Sequence, residues 1–93
     1  MGQAGIAKIR ELIRALNYVV ILHVTEELED DNLTILDLEN IVFTGEIVTT
    51  QRDRKTREVK YLVCGKTLEG RQAEVVVKAR SSGTLVIVTV YVL

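Results

Sequence analysis

Apolar residues near the start of the chain recur at spacings of three and four. Ile6, Ile9, Leu12, Ile13 and Leu16 stand among Lys8, Arg10, Glu11 and Arg14. That period gathers the apolar side chains on one stripe and predicts an amphipathic helix over Gln3–Leu16. Asn17, which tolerates the left-handed conformation common just past a helix end, closes it. Tyr18–Leu22 is aromatic and aliphatic and too short for a helix, so it predicts a brief strand or extended link that ends at His23. Val24–Asp31 places Val24 and Leu28 one turn apart and predicts a short helix with an acidic outer face. Thr34 opens a clearer one. Its hydroxyl can accept from the free amides of the first turn, Asp37 is favourably placed there, and Leu38, Ile41 and Val42 form the inward stripe before Gly45 ends it.

After Gly45 the pattern changes to alternating or continuous β-branched residues. Glu46–Gln51, Val59–Thr67, Gln72–Ala79 and Thr84–Tyr91 predict four strands. The breaks between them carry turn chemistry: the charged loop Asp53–Thr56, then Leu68-Glu69-Gly70, then Ser81-Ser82-Gly83. Loops this short make hairpins, and consecutive hairpins make an antiparallel meander. Leu85-Val86-Ile87-Val88 is apolar on both faces, which places the last strand inside the sheet or under the helices. Helices first and sheet second is the α+β order. The expectation is one domain over 1–93, with a helical half (1–45) packed on a four-stranded antiparallel meander (46–93).

A chain of 93 residues has room for one hydrophobic core. Its longest apolar stretches, Tyr18–Leu22 and Leu85–Leu93, fall far short of the ~20 residues a membrane helix needs. A lone Cys64 forms no internal disulfide and lies in an apolar strand, which predicts a buried structural thiol in a reducing, cytoplasmic setting. The net charge of −1 hides a division along the chain. Residues 1–51 set three cations against nine carboxylates, a net −6, whereas residues 52–80 set nine cations against four carboxylates, a net +5. A local field of that size points to a partner with a phosphate backbone or an acidic surface, or to an acidic helical layer packed beside basic strands.

Gly65-Lys66-Thr67 has the ending of a phosphate-binding loop, but Lys60 stands where the motif needs a second glycine. One His and one Cys, without metal-ligand spacing, predict neither a metal nor a cofactor. His23 is the one side chain whose ordinary pKa suits proton transfer near neutrality. Metal-free RNA cleavage also needs cations to stabilise charge developing on phosphorus. Lys60, Lys66, Arg71, Lys78 and Arg80 could supply them, and Tyr61 and Tyr91 could stack on a base or share a proton.

The order of parts resembles the prokaryotic domain-of-unknown-function 4258 family. The matching residues are His23 with Glu26, Leu28, Leu33 and Thr34; Asp37, Leu38 and Gly45-Glu46; Tyr61-Leu62-Val63-Cys64-Gly65-Lys66; Gly70-Arg71; and Val88-Thr89-Val90-Tyr91. The resemblance implies a RelE-like fold related to toxin ribonucleases, and an antitoxin-like protein as partner. No established activity comes with the family; of the candidates, His23, Tyr61, Lys66, Arg71 and Tyr91 fall on matching positions. Joined to the basic strands, they support the expectation of a metal-independent endoribonuclease of a toxin-antitoxin system, with His23 as general base or acid, Lys66 and Arg71 clamping phosphate and Tyr91 assisting. Lys60, Tyr61, Lys78 and Arg80 would lie along the RNA. The chain departs from the family pattern four and eight positions after the His, where Arg residues are typical and Glu27 and Asp31 stand here. Carboxylates there repel phosphate. The alternative is a catalytically inactive domain of the same fold that binds protein or RNA, with an open sheet edge available for a homodimer.

Overall fold

The computed structural model describes residues 2–93, with side chains from residue 5 onward. Three helices, α1 (Gly2–Arg14), α2 (Leu22–Asp30) and α3 (Ile35–Thr44), accompany five strands, β1 (Tyr18–Val20), β2 (Glu46–Arg52), β3 (Val59–Lys66), β4 (Gln72–Ala79) and β5 (Leu85–Val92). The class is α+β. The strand order is β1-β5-β4-β3-β2, and β1 pairs with β5 in parallel, Tyr18 opposite Leu85 and Val20 opposite Ile87.

The sheet is therefore five-stranded and mixed, which corrects the expectation of four antiparallel strands. Pairing of neighbours along the chain follows from short loops. The parallel pair joins segments from opposite ends of the sequence, a contact that no local pattern encodes. β5 lies inside the sheet, between β1 and β4.

Alternation decides the faces. Val63 and Gly65 on β3, Ala73, Val75 and Val77 on β4, and Leu85, Ile87 and Val90 on β5 are buried. They join Ile6, Ile9 and Ile13 of α1, Val24 and Leu28 of α2, and Leu38, Ile41 and Val42 of α3 in one core. α3 packs on β3 and β4, α1 on β2 and α3, and α2 on β5. The intervening strand residues, including Lys60, Leu62, Glu74, Val76 and Lys78, face away from this layer and stay half-buried or exposed. Among the described residues nothing covers that face of the sheet.

Three helix ends differ in detail from the sequence expectation. α2 starts at Leu22 rather than Val24, so His23 lies within the helix and not at the end of a strand. Leu16, rather than Asn17, takes the left-handed conformation (φ 56°) after α1. Gly45 follows α3 in an extended conformation, φ −93° and ψ 172°, so it is not a left-handed cap. Its role is close approach: a Cβ there would lie 2.5 Å from the Ile41 carbonyl oxygen and 2.6 Å from a Val63 methyl. Gly65 is tighter still, with 2.0 Å to the same oxygen. The glycine of Gly65-Lys66-Thr67 lets α3 lie directly on β3. The start of α3 is capped as expected: the Thr34 hydroxyl accepts from the Asp37 amide at 3.3 Å, and Asp37 accepts from the Thr34 amide at 2.9 Å.

Candidate nucleic-acid interface

β1 covers only Leu85–Ile87 of β5, so the backbone of Val88–Val92 would be left open along that edge. α2 runs beside it. Glu27 accepts from the Val90 amide at 3.0 Å and from the Thr89 hydroxyl at 2.8 and 2.6 Å. One turn later, Asp31 accepts from the Val92 amide at 3.3 Å. Residues four apart on a helix rise ~6 Å, close to the ~7 Å between alternate residues of a strand, so the two carboxylates match two edge amides. Glu27 and Asp31 therefore finish the sheet, a role that arginine, with no acceptor, could not fill.

His23 lies in the first turn of α2, exposed, with Nε2 3.4 Å from Glu27 Oε2. At the other end of the same helix, the Arg71 guanidinium donates to the Asp31 carbonyl at 3.3 Å. Eight residues of helix put His23 and Asp31 ~12 Å apart along the axis. Tyr91 is on the uncovered face, opposite Glu74, which in turn is opposite Cys64; Lys66 is two residues further along β3. Two strand spacings alone separate Tyr91 from β3 by ~10 Å. The four candidates for catalysis come from α2, the end of β3, the residue before β4 and β5, and among the described residues no hydrogen bond or ion pair joins any two of them.

The Tyr91 hydroxyl donates to Glu74, and this bond, with some burial and the carboxylate's charge, raises the phenol above its ordinary pKa. A phenol held that way gives up its proton less readily. The Lys66 side chain is exposed, while its backbone is tied to α3: its amide donates to the Thr44 hydroxyl at 2.9 Å and its carbonyl accepts from Asn40 at 2.9 Å. Cys64, expected to be buried, is half-buried on the uncovered face.

The opposite end of the sheet is different. The β2–β3 hairpin and the end of β4 bring together Arg52, Arg54, Lys55, Arg57, Lys60, Lys78 and Arg80 with only Asp53 and Glu58, seven cations against two carboxylates. Glu58 pairs with Lys78 at 2.9 Å and more loosely with Arg80 at 3.8 Å. Among the described residues the other five cations have no carboxylate within ion-pair distance. Both acids register the local field. The Lys78 hydrogen bond, with the charges of Lys78 and Arg80, lowers the Glu58 pKa. Asp53 is lowered first by the backbone amides of Lys55 and Thr56, then by Lys78 and Lys60.

Two shallow hollows adjoin this end. One is lined by Gln51, Arg52, Asp53, Glu58, Lys60 and Lys78. The other lies on the uncovered face and is lined by Thr49, Gln51, Lys60, Tyr61, Leu62, Val76 and Tyr91. Tyr61 alternates onto the helix side, where it packs on the core, so it differs from Lys60 and Lys78 in the face it presents.

Among the RNA-binding candidates read from the sequence, Lys60, Lys78 and Arg80 are thus brought together. The loop cations Arg52, Arg54, Lys55 and Arg57 complete the group. Their run in the sequence was the available signal, but it became a cluster with Lys78 and Arg80 only when the hairpin folded it beside β4.

A family model described as Domain of unknown function (DUF4258) matches residues 22–92, from the first residue of α2 to the last of β5. Neither the curated proteins nor the solved structures gave a match.

Proposed function

The chain belongs to the DUF4258 family, a domain of unknown function, and from that starting point we propose that it is a non-catalytic RNA-binding domain that holds the phosphate backbone at the basic end of its sheet. The observation that carries this reading is the cluster of Arg52, Arg54, Lys55, Arg57 and Lys60, exposed and without carboxylate partners among the described residues. Concentrated cations on an uncovered sheet end attract phosphate regardless of the net charge of the chain.

The metal-independent ribonuclease reading has less support. It needs His23, Lys66, Arg71 and Tyr91 around one phosphate, and among the described residues no hydrogen bond or ion pair links any two of them, while Tyr91 is committed to Glu74 and Arg71 to the Asp31 carbonyl. It also needs positive charge beside His23, where Glu27 stands. A toxin-antitoxin context would then concern RNA capture rather than cleavage, with an antitoxin-like protein as a competitor for the basic end.

The test is fluorescence anisotropy with a labelled, unstructured 12-nucleotide RNA. If about five cations meet phosphates, affinity falls roughly 100-fold between 50 and 200 mM salt. Arg54→Glu with Lys55→Glu, both in the exposed loop, should abolish most of the binding. A flat salt profile refutes the proposal. Cleavage of the same RNA in EDTA that yields 2′,3′-cyclic phosphate ends and disappears in His23→Ala refutes its non-catalytic part.

A further inference from the structure

We propose that the hollow on the uncovered sheet face seats one unpaired nucleobase, so that the ligand of this domain is single-stranded RNA and not duplex. The inference rests on the RNA-binding reading and adds to it the part of the nucleotide that the basic end does not explain.

Position comes first. Lys60 and Gln51 line both the basic hollow and the one bounded by Leu62, Val76 and Tyr91. A phosphate drawn to Lys60 therefore has its own base within reach of the second hollow. Size comes next. At about 200 Å³ the hollow is smaller than the ~300 Å³ at which sites for whole drug-sized molecules begin, and its scale suits one planar group.

The lining is also that of a base site. Leu62 and Val76 are cross-strand neighbours and form an apolar floor. Thr49, opposite Leu62, offers a hydroxyl, and Gln51, opposite Lys60, offers an amide that both donates and accepts. Tyr91 closes the far side, and its hydroxyl is fixed to Glu74, so little side-chain freedom is lost when a base packs against the ring. An amide with both polarities and an aliphatic floor accept any base face, which predicts weak sequence preference. A duplex keeps its bases stacked and cannot present one to a recess in a sheet.

The experiment uses the full chain and three probes: a 12-nucleotide single-stranded RNA, the same strand with 2-aminopurine at its centre, and a blunt duplex of equal length. Expected results are at least tenfold tighter binding of the single strand than of the duplex, and a fluorescence change of the 2-aminopurine on binding. Tyr91→Ala and Leu62→Ala, with circular dichroism confirming the fold, should each weaken single-strand binding about tenfold while leaving the salt slope unchanged. Equal affinity for duplex and single strand, or variants that bind as well as the parent chain, overturns this inference and leaves salt-dependent RNA binding standing. No binding of any RNA overturns both. Dimerisation of the parent chain that Val76→Lys abolishes shows a second copy on the hollow and also overturns it. The single-strand preference of the unaltered chain decides the matter even if a variant fails to fold.

Discussion

Replacing Glu27 should destabilise this protein more than any other surface carboxylate, because its charge completes a sheet edge. The side chain is 23 % exposed and accepts from the Val90 amide and the Thr89 hydroxyl, while Val90 itself is 1 % exposed. A hydrogen bond to a charged group contributes about 1.5–3 kcal/mol, and a buried amide left without an acceptor costs about 1–3 kcal/mol. Glu27→Ala is therefore expected to lose about 3 kcal/mol, a large share of the roughly 5–14 kcal/mol that stabilises a domain of this size. Glu27→Arg should be at least as harmful, since arginine has no acceptor for the Val90 amide. Glu27→Gln keeps a neutral acceptor and should lose about 1 kcal/mol. The assay is urea unfolding followed by far-ultraviolet circular dichroism, with Thr89→Val completing a double-mutant cycle whose coupling should be about 1 kcal/mol. Glu26→Ala, on the exposed face one residue away, serves as control and should stay within about 0.5 kcal/mol of the parent. A Glu27→Ala protein indistinguishable from that control, or one in which the Val90 amide exchanges no faster, refutes the edge-cap argument.

Three further outcomes follow from the same geometry. Gly65→Ala puts a Cβ 2.0 Å from the Ile41 carbonyl oxygen, and backbone cannot yield as a side-chain tip can, so the loss should reach at least the ~3 kcal/mol upper range of overpacking; near-parent urea midpoints would contradict it. Asp37 is held below its ordinary pKa, first by the Thr34 amide and then by the Leu68 amide at 2.9 Å. The folded chain thus binds fewer protons there than the unfolded chain; the stabilisation is complete above about pH 4 and is lost as pH falls further, and Asp37→Asn should flatten that acid limb of stability against pH. Tyr18 is pushed up to about 12 by burial and by its 2.7 Å bond to Glu39. Its contribution is complete below about pH 10 and declines as pH rises toward 12, so Tyr18→Phe should remove that alkaline decline in thermal melts.

Much of the fold was legible because local patterns decide it. The three-four spacing of Ile6, Ile9 and Ile13 determines a helix, Thr34 and Asp37 determine where α3 begins, and the short turns around Gly70 and Gly83 determine which strands pair in succession. The basic run from Arg52 to Lys60 was equally plain. In the candidate site, Lys60, Lys78 and Arg80 could be named from the sequence, but the pairing of Lys78 and Arg80 with Glu58, and the placing of Lys60 beside them, depend on the antiparallel register that sets Lys60 opposite Lys78.

Other features belong to the tertiary structure alone. Tyr18 meets Leu85 only after the chain has crossed the whole sheet, and a three-residue strand carries no signal of its partner. Because β1 stops at Val20, the edge of β5 needs acceptors, and Glu27 and Asp31 change from charges that repel phosphate into caps for backbone amides. Gly45 and Gly65 look like a helix stop and a fragment of a phosphate loop until α3 is laid against β3, where the absent Cβ is what admits the Ile41 carbonyl. The sequence by itself determined the elements and the sign of charge along them, since both depend on neighbours in the chain. Which polar groups would be left without partners, and which side chains would face one another, depended on contacts between distant segments and was decided only by packing.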